Sequence, residues 1–183
     1  YGLRSRLRVK CSVAGATQVM CGIAGVVGPH PTPEIISAML ERLSHRGPDG
    51  LGQVIRDGRV GLGHRRLAII DLSDDASQPM RSPSGCEVIL NGEIYNYVEL
   101  RDELVSGGVA FRTSSDTEVL LAAYDRWGVD CLHRLNGMFA FAIYDPARRT
   151  LLLARDRFGE KPLYYHRAGD GTFLFASEIK ALL

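Results

Sequence analysis

The apolar residues of this chain come in short runs cut by turn formers, and that punctuation limits the fold more than any other feature. Ile23 to Val27, Glu87 to Leu90, Met138 to Tyr144, Leu151 to Arg155, Leu163 to His166 and Phe173 to Phe175 each read as a strand. Gly, Pro, Asn or Asp lies close to both ends of most of them. Residues 51–70 read as a further strand pair turning at Asp57-Gly58. Between these runs lie three stretches of helical spacing. Thr32-Pro33 opens the first, with apolar positions Ile35, Ile36, Met39, Leu40 and Leu43. The second runs from about Tyr97 to Val105 and stops at Ser106-Gly107-Gly108. The third starts at Ser115 and Glu118, spaced as a capping box, and carries Val119, Leu120, Ala123, Tyr124 and Trp127 inward. Residues 72–85 read as loop, and Glu178 to Leu183 as the start of a helix. Strands in antiparallel runs with helices between them predict two sheets with helices packed outside.

Composition narrows the function classes. The 183 residues suffice for one domain that buries roughly 70% of its unfolded surface, without disulfides or metal. No apolar run approaches the ~18 residues of a membrane span, and a net charge of +1 argues against binding nucleic acid by counterion release. The charge is uneven. Residues 1–20 hold Arg4, Arg6, Arg8 and Lys10 and no acid, so the remainder is slightly negative. This stretch lacks the apolar centre of a secretory signal; it is like an organelle presequence, or like upstream sequence read in frame. The second reading makes 1–20 a leader absent from the mature protein, Met20 the start and 21–183 the domain. Cys11, Cys21, Cys86 and Cys131 show no CxxC or metal-ligand spacing and read as free thiols of a reducing, cytoplasmic compartment.

Cys21 follows Met20 directly. Removal of an initiator Met would leave one residue carrying both a thiol, with ordinary pKa about 8.5, and an α-amine at about 7.7–8.0. Such an amine is suited to take the thiol proton near neutral pH. Taken alone, Cys21 reads as a small apolar residue opening a strand. Asn91-Gly92 reads as a hairpin turn or as a pair of oxyanion donors, and Asp116 as a charge at a helix N-terminus. Arg66 alone reads as a surface strand arginine.

Met20-Cys21-Gly22-Ile23-Ala24-Gly25 resembles the start of the class II glutamine amidotransferases. Six further stretches extend the resemblance toward the glutaminase domain of glutamine-hydrolysing asparagine synthetases: HRGPDG at 45–50, GHRRLAIIDLS at 63–73, LNGEIYN at 90–96, SSDTEVLLAAY at 114–124, GMFAFAIYD at 137–145 and ARDRFGEKPLYY at 154–165. FASEIKALL at 175–183 continues it to the end of the sequence. The resemblance implies an α+β fold of the N-terminal-nucleophile hydrolase type, a four-layer α-β-β-α sandwich of two antiparallel sheets. It implies Cys21 as nucleophile and Asn91 and Gly92 as the oxyanion hole. Arg66 would hold the carboxylate of L-glutamine, and Asp116 and Glu93 its ammonium, with backbone from Leu67 to Ile70, Ile70 above all, lining the pocket. Arg46 would organise the loop beside Cys21. No cofactor is implied for this domain. ATP and magnesium belong to the C-terminal synthetase domain, whose SGG-x-DS phosphate loop the Ser106-Gly107-Gly108 stretch does not reproduce. That domain is the expected partner; a homodimer stays open, and neither nucleic acid nor a membrane is expected. Three other readings stand beside this one: the front domain of an amidotransferase with another acceptor, a non-catalytic glutamine-binding or interaction module, and a thiol-redox protein, which the lack of CxxC disfavours.

Overall fold

A computed structural model describes residues 20–67 and 74–183. Among the described residues, nine strands form two antiparallel sheets. The first has the order β2 (Gly50–Arg56), β3 (Val60–Arg66), β1 (Gly22–Val27), β9 (Phe173–Ala176), β8 (Tyr164–Arg167). The second has β4 (Met80–Arg81), β5 (Glu87–Ile94), β6 (Gly137–Asp145), β7 (Thr150–Arg155). Helix α1 (Pro33–Arg42) packs on the first sheet; α2 (Tyr97–Ser106) and α3 (Asp116–Trp127) pack on the second. Strand alternation explains the layering. Along β1, Ala24 and Val26 meet Ile36, Met39, Leu40 and Leu43 of the α1 region, while Ile23 turns the other way to join Leu62, Ile89, Ala140, Ala142 and Phe175 between the sheets. Along β5, Val88 and Leu90 meet the α2–α3 layer, and Ile89 faces the first sheet. The expected four-layer sandwich is the structure found.

Local chemistry sets the element ends. The Thr32 hydroxyl accepts from the Ile35 N–H, with Pro33 in the first helical turn. The β2–β3 turn falls at Asp57-Gly58, both with positive φ. Val109 donates to the Leu104 carbonyl and Gly107 to that of Glu103, so Ser106-Gly107-Gly108 ends α2 as expected. Four expectations need correction. Ser115 caps α3 through the Thr117 N–H, but Glu118 reaches past it to the N–H groups of Arg112 and Thr113, since Thr113 Oγ1 already serves Ser115 N. Residues 178–183 form only a 3-10 turn, Ile179–Ala181. The expected loop at 72–85 contains β4, which pairs Met80 with Val88. Ile35, counted with the inward stripe of α1, is 40% exposed.

The two sheets are joined differently at their two ends. At one end Arg56 pairs with the buried Glu87, and the Tyr144 hydroxyl donates to Asp57. Cys21, Arg66 and Asn91 lie toward the opposite end, because β1 starts, β3 finishes and β5 approaches its finish there. Close packing between the sheets depends on Gly25. A Cβ at Gly25 would sit 2.3 Å from the Phe175 ring, which is fully buried, and 2.9 Å from the Gly61 carbonyl oxygen. Gly25→Ala is therefore expected to destabilise the fold by about 1–3 kcal/mol. Combined with Phe175→Leu, the loss should be less than the sum of the single losses. Urea unfolding of the four proteins checks this; strict additivity would mean that the ring does not govern the position.

Candidate active site at the open end of the sheets

Cys21 stands one residue before β1, and its half-buried thiol points to the inner side of the first sheet. Cys21 Sγ accepts from the Leu67 N–H at 3.3 Å and lies 3.5 Å from the Leu67 carbonyl, to which it donates. Its own carbonyl accepts from Arg46 Nε at 2.9 Å, and Arg46 Nη1 is anchored on Glu178 at 2.9 Å. Glu178 also takes His45 at 2.9 Å and Lys180 at 3.2 Å. Burial raises the Glu178 pKa, but hydrogen bonds from Arg46, His45 and Lys180 outweigh it and bring the value down to about 2. Arg46 thus links the Cys21 carbonyl to Glu178.

Burial pushes the Cys21 thiol above its usual range. The Leu67 N–H opposes that shift, Asp116 adds to it and Arg66 opposes it. The thiol is therefore not a standing thiolate and needs a base. The same balance puts Asp116 and Arg66 within electrostatic reach of the sulfur. Arg66 is the last residue of β3, and its carbonyl accepts from Asp49 N at 3.0 Å.

Asn91-Gly92 is not a turn. The pair lies inside β5, with Asn91 opposite Ala140 and Gly92 opposite Phe139 on β6. Asn91 is fully buried, on the same face as Ile89, and its Oδ1 and Nδ2 have no hydrogen-bond partner among the described residues. Gly92 has φ +150°, and a Cβ there would meet the Met138 carbonyl oxygen at 2.1 Å. On either side of it, the Leu90 N–H goes to Gln78 Oε1 at 2.6 Å and the Ile94 N–H to Asp116 Oδ2 at 3.0 Å. Strand alternation directs the Gly92 N–H to that same edge, between the two acceptors.

Asp116 opens α3 and is 5% exposed. Burial raises its pKa above the ordinary carboxylate value; the N–H groups of Ile94 and Thr117 oppose this, and Glu93 adds to it. Two acids near each other, one buried, form a place where a cation would be bound strongly. Ile70 lies outside the described residues, so of the pocket-lining backbone only Leu67 is placed. The structure thus brings Cys21, Arg66, Asn91, Gly92, Glu93 and Asp116 to one end of the sandwich. The three described cysteines are unpaired, and no group of acids, histidines or cysteines among the described residues could hold a metal ion.

Three further residues, given no role from sequence, shape the site. His64 is buried, faces the second sheet and donates from Nε2 to the Leu90 carbonyl at 3.2 Å, tying β3 to β5 beside Asn91. Burial lowers its pKa to about 4, against the Leu90 hydrogen bond, so it is neutral at physiological pH. The Asp156 carboxylate accepts from four backbone N–H groups, those of Phe139, Phe158, Glu160 and Lys161, at 2.9–3.3 Å. Burial alone would raise its pKa; those donors outweigh it and lower the value. The clamp fixes the loop that presents Lys161, which is 2% exposed. Asp156 and Lys161 stand in the quoted DRFGEKP stretch, and an Asp followed by a Gly-containing tight loop was the available signal.

The chain is similar to known proteins over most of its length. The chain is 45% identical over 170 residues to "Asparagine synthetase [glutamine-hydrolyzing] 1" of Bacillus subtilis, covering 90% of this chain and 27% of that protein. It is 39% identical over 184 residues to a putative asparagine synthetase of Methanocaldococcus jannaschii, covering 90% and 35%. It is 37% identical over 180 residues to "Amidase chry2" of Gibberella zeae, covering 90% and 26%. The chain therefore spans about a quarter to a third of the length of these relatives. Among solved structures, glutamine phosphoribosylpyrophosphate amidotransferase from B. subtilis superposes with a TM-score of 0.78 at 29% identity, covering 88% of this chain and 43% of that one. Residues 20–183 match the glutamine amidotransferase domain family, and the chain belongs to that family.

Proposed function

We propose that this domain hydrolyses L-glutamine to glutamate and ammonia with Cys21 as its N-terminal nucleophile, and that the ammonia serves an ATP- and magnesium-dependent synthetase domain that amidates aspartate. The observation that carries the reading is the Asn91 carboxamide. It is buried on the inner face of β5, and both its polar atoms lack partners among the described residues. A buried amide left so costs about 1–3 kcal/mol unless a ligand uses it. An oxyanion forming above Cys21 would take the Nδ2 donor of that amide.

In this reading residues 1–20 are removed and the freed Cys21 α-amine takes the thiol proton. The sulfur adds to the side-chain amide carbon of glutamine. Asn91 Nδ2 and the Gly92 N–H stabilise the negative oxygen. The C–N bond then breaks, and the nitrogen leaves as ammonia with the proton that the amine had stored. Water cleaves the γ-glutamyl thioester and restores the thiol. The raised thiol pKa supports this order, since proton removal must accompany attack. Arg66 offers a planar fork to the substrate carboxylate, and Asp116 with Glu93 a negative pocket to its ammonium. The similarity to asparagine synthetases over 90% of the chain supports aspartate as the acceptor. The likeness to "Amidase chry2" favours a second reading, the same glutaminase serving another acceptor.

Protein whose first residue is shown by intact mass to be Cys21 should release ammonia from glutamine, and Cys21→Ala should abolish the release. A wild-type protein with a free amine and no ammonia release would refute the enzyme reading in favour of a binding module. Asn91→Ala should lower kcat/KM by about 10²–10³-fold, whereas Arg66→Lys should act chiefly through KM, as steady-state kinetics would show. Because burial raises the Asp116 pKa, its carboxylate is protonated earlier than usual on acidification. KM for glutamine should therefore rise as pH falls through that raised value, and in Asp116→Asn this acid-side rise should disappear from the pH profile of KM.

A further inference from the structure

Among the buried ionisable groups that the mechanism leaves unused is a lysine. Lys161 is 2% exposed, and lysine is rarely buried so deeply without a carboxylate partner. None of the described carboxylates forms a salt bridge with it. Instead Nζ donates at 3.0 Å to Met20 Sδ, a thioether and a weak acceptor. Met20 is the residue joined to the nitrogen of Cys21. The Lys161 head group therefore lies against the side chain of the residue whose removal exposes the Cys21 α-amine.

We propose that Lys161 is a positioning residue that keeps the freed Cys21 α-amine in its uncharged, proton-accepting form by placing a second cation beside it. This rests on Cys21 being the first residue of the working protein. A like charge disfavours protonation of its neighbour. The surrounding charges are asymmetric. Arg46, from the loop after α1, adds to the positive potential at Lys161, while Glu160, Asp156 and Glu93 oppose it. Asp156 is occupied by its four backbone donors, and Arg46 is balanced by Glu178, which also holds His45 and Lys180. From the other side, Asp116 and Arg66 act on the Cys21 thiol with opposite signs. Burial, and Arg46 after it, lower the pKa of Lys161 itself, the sign expected for a cation in a dry, positive setting.

The test uses the full protein with Cys21 as first residue, in wild-type, Lys161→Met, Lys161→Gln and Lys161→Arg forms. The acid limb of kcat/KM for glutamine hydrolysis should move up by about one pH unit in Lys161→Met and Lys161→Gln. Activity below the limb should then fall about tenfold, with little change on the alkaline side, and Lys161→Arg should keep the wild-type limb. A structural role alone would lower kcat without moving the limb. Titration of a 15N-labelled Cys21 α-amine by NMR reads the same effect without catalysis. An amine that titrates at one pH in all folded variants would overturn the proposal. A wild-type protein that shows the shifted amine but releases no ammonia would refute the glutaminase reading and leave the role of Lys161 standing.

Discussion

Everything at the candidate site depends on the apolar contact between the inner faces of the two sheets. Ile23, Leu62, Ile89, Ala140, Ala142 and Phe175 exclude water from the middle of the molecule. Their packing fixes the spacing between β1 and β3 on one side and β5 on the other. The thiol that leads into β1 and the carboxamide within β5 belong to different sheets. They share one environment only because those sheets lie face to face. Gly25 lets the Phe175 ring approach β1, and the His64 hydrogen bond to the Leu90 carbonyl sets the separation beside Asn91.

The polar ties between the sheets are distributed with the same logic. Arg56 with Glu87 and Tyr144 with Asp57 occupy one end. At the other end several polar groups are spent on the protein's own backbone. Asp116 takes Ile94 N, Gln78 takes Leu90 N and Asp156 takes four N–H groups. These bonds satisfy donors that strand pairing cannot reach, and they hold the surrounding loops still. Asn91 is buried with both its polar atoms unsatisfied by the described residues, as is Nδ1 of His64 beside it. A rigid shell around an unsatisfied donor is the arrangement that electrostatic preorganisation requires.

Legibility from sequence varied with the physics that fixed each element. The α1 start was plain, because Thr32 and Pro33 act locally. So was the β2–β3 turn, since Asp57 and Gly58 adopt positive φ within the turn itself. Asn91-Gly92 was ambiguous for a corresponding reason: the same dipeptide favours a two-residue hairpin, and only pairing with Ala140 and Phe139 draws it into a strand. Glu118 matched the capping-box spacing, yet Thr113 captured the Ser115 N–H and released the carboxylate to Arg112 and Thr113. Lys161 carried no reading of its own, because its partner Met20 lies far away in the chain.

The sequence by itself determined the alternation of short strands and amphipathic helices, the family and the identities of the reactive side chains, since these follow from local spacing and residue type. Tertiary structure alone decided that Cys21, Arg66, Asn91, Glu93 and Asp116 come to one end of the sandwich, that the Cys21 thiol and the Asp116 carboxyl are held above their ordinary pKa values, and that a buried lysine lies against the residue preceding the nucleophile. Each of these depends on distance across the fold and on the water excluded there, and neither quantity exists until the two sheets have closed on each other.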